Sequence, residues 1–155
     1  MPRLYKIDLS MEGLEEFLAK LEKEGLSLLI LKEGKTLFKR RHGGIAPLLE
    51  AIEELGLGLL SGSTVVDKVV GRAAALLIAY FRAGGVFARV MSKDGARILE
   101  RKGIRFAAKE FVENIKNKDG TGICPFERLV SGMEDPQEAY QILRCKGGGG
   151  VKTYP

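Results

Sequence analysis

Apolar positions recur along most of the chain at helical or strand spacing. Leu14, Phe17, Leu18 and Leu21 form one helical stripe, with Ser10 as N-cap, Glu12, Glu15 and Glu16 in the first turns, and Gly25 as a stop. Leu26 to Leu31 is short, aliphatic and bounded by turn residues, as a buried strand is. Glu33-Gly34-Lys35 then reads as a hairpin turn, with Thr36 to Arg41 as the return strand. Gly43-Gly44 ends it, and Pro47 suits the first turn of a second helix. Leu48, Leu49, Ile52 and Leu55 form its buried face, and Gly56 is its expected end. A Gly/Ser-rich link runs from Gly56 to Ser63.

Residues 64–82 are read as one central helix, capped by Ser63 or Thr64 and apolar nearly all round from Ala73 to Phe81. Gly71 inside it would cost about 1 kcal/mol against Ala, a cost that close approach of another backbone or a ligand would offset. After Gly84-Gly85, Val86 to Met91 is a third strand. Ser92 caps a helix from Lys93 to Lys102, and Ile104 to Ala108 is a weaker fourth strand. Phe111, Val112 and Ile115 fit helix and strand alike. Asn117-Lys118-Asp119-Gly120 is a turn cluster. Two helices follow, Cys124 to Ser131 and about Asp135 to Arg144. The order is helix, hairpin, helix, helix, strand, helix, strand, helices. It predicts a mixed sheet flanked by helices, a three-layer α/β/α sandwich. One domain is expected over residues 1–146, with residues 147–155 as a disordered Gly-rich tail.

Composition changes this picture little. The chain has 155 residues, 45% hydrophobic and 29% charged, an ordinary globular balance that needs neither disulfide nor metal to hold a core. A formal charge of +5 permits an anionic ligand without demanding nucleic acid. The longest apolar run is far short of a membrane span, and two cysteines make no disulfide framework. A cytoplasmic protein is expected. Two Asn, two Gln and no Trp amid abundant Lys, Arg and Glu is a faint thermophile signature. The Leu/Phe stripe of the first helix is core or a dimer face, which leaves a homo-oligomer open.

Two stretches carry candidate chemistry. In Asp119-Gly120-Thr121-Gly122-Ile123-Cys124-Pro125-Phe126-Glu127, Pro125 suits helix position N1, so Cys124 is the N-cap and Glu127 can reach back to its N–H. The same geometry would lower the Cys124 pKa or hold a phosphate, with the loop glycines letting N–H groups approach it. A catalytic Cys124 would need a base, and the sole histidine is His42. The second stretch, Ser63 to Ala73, places Asp67, Lys68 and Arg72 at one sheet mouth, with charge for a phosphate or carboxylate. The basic run Lys39-Arg40-Arg41-His42 reads as a solvated edge, so nucleic acid is not favoured.

The segments Gly62 to Ala75 and Asn117 to Glu127, with the element order, resemble an uncharacterised prokaryotic family of the cytidine-deaminase-like fold. The resemblance spans about residues 10–145. It implies that fold and no established reaction. Deaminases of the superfamily carry His-x-Glu or Cys-x-Glu at one helix start and Pro-Cys-x-x-Cys at another, to bind zinc and move protons. Here the second reads Cys124-Pro125-Phe126-Glu127, and no His or Cys lies near Asp67. Neither metal nor cofactor is expected. The preferred expectation is a small anionic or nucleotide-like ligand held by Asp67, Lys68, Arg72, Asp119, Gly120, Thr121, Gly122 and Glu127. The alternatives are a Cys124-dependent enzyme and a nucleic-acid or protein interaction module.

Overall fold

Residues 64–70 hold Thr64, Val65, Val66, Val69 and Val70 within seven positions. Their branched side chains restrict χ1 and favour a pleated, buried surface. In the computed structural model, which describes residues 11–117 and 119–146, this segment is the central strand β3 (Thr64–Val70) and not the first half of a helix. The helix expected over 64–82 shrinks to α3 (Arg72–Tyr80). Gly71 stands at the strand-to-helix junction.

The first helix, α1 (Met11–Lys23), leads into the hairpin β1 (Leu28–Lys32) and β2 (Lys35–Arg40), then α2 (Ala46–Leu60). The expected end of α2 at Gly56 is half right. Gly56 leaves helical geometry with φ 82°, but the apolar residues after it resume the helix to Leu60. Beyond α3 come β4 (Gly85–Ser92), α4 (Lys93–Arg101), β5 (Arg105–Val112), α5 (Pro125–Leu129) and α6 (Pro136–Lys146). Phe111 and Val112 thus belong to a strand. The proposed cap Ser10 and the Gly-rich tail lie outside the described residues.

The sheet order is β2-β1-β3-β4-β5. β1 is antiparallel to β2 and β3, while β3, β4 and β5 run parallel. One face packs on α1, through Leu14, Leu21, Leu29, Val66 and Phe87, and Phe17 stacks on Phe87 at 4.9 Å. The other face carries the larger core, with Leu48 and Ile52 of α2, Leu76 and Ile78 of α3, and Ile98 and Leu99 of α4. α3 is buried from Arg72 to Ala79, as its lack of a polar face requires. The architecture is the expected three-layer α/β/α sandwich with a mixed sheet.

Candidate functional site

The parallel strands end beside the first turns of the helices that follow them, which is where α/β sheets form ligand crevices. Two junctions meet there. β3 passes through Gly71 into α3. β4 passes directly into α4, whose N-cap Ser92 accepts from the Gly95 N–H at 2.9 Å, as its sequence suggests. The junctions are in contact: a Cβ on Gly95 would lie 2.9 Å from the Gly71 carbonyl oxygen.

Glu127 closes the α3 junction. Its two carboxylate oxygens accept from the N–H groups of Arg72 and Ala73, each at 2.8 Å. These are orphan donors of the first turn, where the dipole favours negative charge. The expected reach of Glu127 back to Cys124 is not made; the Cys124 N–H donates to Ile115 O at 2.9 Å. Burial pushes the Glu127 carboxyl above its usual range, the Ala73 and Arg72 amides pull it down, and nearby Asp94 adds to the rise. Gly71 is the residue that admits it, since a Cβ there would lie 2.5 Å from Glu127 Oε1 and 2.7 Å from Ile115 Cγ1. The close approach at Gly71 is thus made by side chains of the same chain, where another backbone or a ligand was expected.

The Arg72 side chain is also committed within the protein. It is 5% exposed. Nε and Nη2 grip Asp94 at 2.7 and 3.0 Å, and Nη1 donates to Met133 O. Arg72 foremost, with Arg97, holds the Asp94 carboxyl below its usual range. Arg72 thus positions α3 against α4 and offers no free donor fork to an anion.

Asp67 and Lys68, expected beside Arg72 at a helix start, sit mid-strand on opposite faces. Asp67 is level with Ala88 of the larger core. Lys68 lines a cavity with α1 residues. Burial raises the Asp67 carboxyl to about 7, against hydrogen bonds from the Val69 and Lys68 amides.

The backbone donors of Asn117, Gly120, Thr121 and Gly122 also turn inward. Asn117 Oδ1 accepts from Thr121 N at 3.1 Å and Gly122 N at 3.4 Å, and Asn117 O accepts from Gly120 N at 3.0 Å. Asp119 is exposed. Cys124 is half-buried at the start of the short α5. His42 lies beyond β2 at the far edge of the sheet, 3.1 Å from Glu50, so it is no base for Cys124.

The donor set does not fit zinc. Both Glu127 oxygens hold helix amides, Asp67 is locked inside a strand, and one thiol remains. Among the described residues no group of three or more His, Cys, Asp or Glu side chains is placed to hold a metal ion.

The arrangement does form a cleft of about 330 Å³ beyond the ends of β4 and β5. Ser92, Asp94 and Glu127 line it from the junctions, Glu113, Asn114 and Ile115 from the end of β5, and Ile123, Arg128 and Ser131 from the loop and α5. The sequence reading missed Glu113, Asn114 and Arg128. The first two lie in the stretch whose periodicity was ambiguous, and Arg128 follows Glu127 on a helix turn that gave it no distinguishing signal. No carboxylate lies within ion-pair distance of Arg128 among the described residues.

A model of the TM1506 family, a domain of unknown function (DUF1893), matches residues 16–146. The crystal structure of a DUF1893 family protein from Thermotoga maritima is similar, with 32% identity, a TM-score of 0.78, and coverage of 92% of this chain and 95% of that one. Acinetobacter baumannii RibD aligns at 15% identity and a TM-score of 0.45, over 67% of this chain and 36% of that one. No curated protein matches at a significant level. No helix among the described residues is long and apolar enough to cross a membrane.

Proposed function

Because the chain belongs to the TM1506 family of domains of unknown function, we propose its role from the cleft: it binds a small nucleotide-like ligand, without zinc chemistry. The observation that carries this is the content of the cleft. It combines apolar walls, Ile115 and Ile123, with acceptors on Asn114 and on Glu113, which also pairs with Lys93 at 2.6 Å, and with Arg128, which has no carboxylate within ion-pair distance among the described residues. Pockets that orient a small molecule have this mix of apolar lining and a few polar groups. A flat ring with N–H donors suits the isoleucines and the acceptors. An attached phosphate suits Arg128, whose guanidinium can engage it with two donors.

The anionic part of the ligand is thereby assigned to Arg128, in place of Lys68 and Arg72. The α3 amides are taken by Glu127 and the loop amides by Asn117. Titration calorimetry with nucleosides and nucleoside monophosphates tests the reading. Saturable binding is expected, with Arg128→Ala weakening the monophosphate about tenfold or more and leaving the nucleoside unchanged. A panel with no saturable binding, or a monophosphate indifferent to Arg128→Ala, overturns it.

A further inference from the structure

The opposite face of the sheet carries a second concentration of charge. Val66, Phe87 and Ala107 pack beneath α1. Side chains return to the same face of a strand at every second residue, so the next residues on that face are Lys68, Arg89 and Lys109. The cross-strand rows Asp67–Ala88–Ala108 and Val69–Val90–Glu110 on either side place those three at one level of adjacent strands. Neighbouring strands are about 4.8 Å apart, so the row spans about 10 Å. An apolar row is followed by a cationic one, and the change occurs on all three strands at once.

The three cations line a cavity of about 290 Å³ with Leu18 of α1 on its apolar side. Two α1 carboxylates approach loosely, Glu22 at 4.0 Å from Arg89 and Glu15 at 3.7 Å from Lys109. All four of these side chains are exposed, and exposed pairs of this kind contribute little. Lys68 has no carboxylate within ion-pair distance among the described residues. Like charges at matched positions on neighbouring strands repel, and here they converge on a concavity that retains a net positive charge. Such a concavity focuses its field on an incoming anion.

We propose that this cavity is a second binding site, separate from the cleft, for a small pyrophosphate-bearing molecule. A linear row of three cations matches successive phosphoryl groups better than one carboxylate, with Arg89 able to engage two oxygens and the lysines acting as point charges. The wall formed by α1 makes the site concave, which suits a small molecule over a polymer.

Titration calorimetry with inorganic pyrophosphate tests the proposal directly. Saturable binding that weakens with added salt is expected. Lys68→Gln should weaken it about tenfold or more; Lys109→Gln serves as the second variant should the first not fold. Glu22→Gln removes a competing carboxylate and should tighten binding, while Lys35→Gln in the hairpin turn should leave it unchanged. Absence of binding, indifference to both lysine variants, no tightening in Glu22→Gln, or binding to a duplex DNA oligonucleotide but not to pyrophosphate would overturn the proposal.

Discussion

Replacing Asp67 with Asn should stabilise the protein at neutral and alkaline pH by an amount that vanishes progressively in acid. Asp67 is 6% exposed in the middle of β3. Its ionised form has the Val69 amide at 3.5 Å and the Lys68 amide to support it, and no cation within ion-pair distance among the described residues. Burial therefore dominates and lifts the carboxyl to about 7, from about 3.9 in an unfolded chain. The folded value is the higher one, so the native state holds the proton more tightly. The contribution to stability is fully present below about pH 3.9, shrinks as pH rises towards 7, and is gone above that. A difference of about three pH units corresponds to about 4 kcal/mol. Asn is nearly isosteric, keeps an oxygen to accept from Val69, and never ionises. Urea unfolding of both proteins across this pH range gives the measurement. The advantage of Asn over Asp should grow by about 4 kcal/mol between about pH 4 and 7 and then level off. A difference that stays flat, or that moves in favour of Asp with rising pH, would refute the reasoning, because it would mean that the native state stabilises the carboxylate.

Substitutions at three further residues probe the junctions. Gly71→Ala should destabilise by about 1–3 kcal/mol, because its Cβ would meet Glu127 and Ile115, seen as a lower urea midpoint. Glu127→Ala should cost about 2 kcal/mol by leaving two first-turn amides of α3 without an acceptor, and Glu127→Gln less, by the same measurement. Asp94→Asn should destabilise at neutral pH and converge on the parent in strong acid. The Asp94 carboxyl titrates below its usual range when folded, so its contribution exists above the unfolded value and is lost as pH falls through the folded one. Thermal midpoints at both pH values would report it, and equal differences at the two would contradict the pairing with Arg72.

Where local chemistry decides an element, the sequence was readable. Glu33-Gly34 makes the hairpin turn, with φ of 50° and 81°, and Ser92 caps α4 as its position suggests. β3 was misread because an apolar helix follows it after a single glycine, and the charged pair Asp67-Lys68 mimics one polar helix edge. The decisive signal was the β-branched composition of residues 64–70, which outweighs periodicity over so short a window. β5 is a sheet edge with solvent near much of it, so its alternation is weak and its end at Val112 was not visible. The site suffered most. The position of Glu127 near a helix start was legible, but not which helix it serves. A capping residue normally serves its own helix, and nothing local encodes a partner so far along the chain.

That separation bears on the order in which the molecule assembles. Glu127 contacts Arg72 and Ala73 across 55 and 54 residues, and the chain between them contains β4, α4 and β5. Closing so long a loop costs entropy before the two hydrogen bonds return anything, while the neighbouring parallel strands are joined by much shorter connections. This predicts that the carboxylate enters the α3 amides after the strands have paired, on the native side of the folding barrier. Loss of its contacts should then appear as faster unfolding with little change in the folding rate. On that order, the helix start that an outside anion would otherwise occupy is closed late, from within.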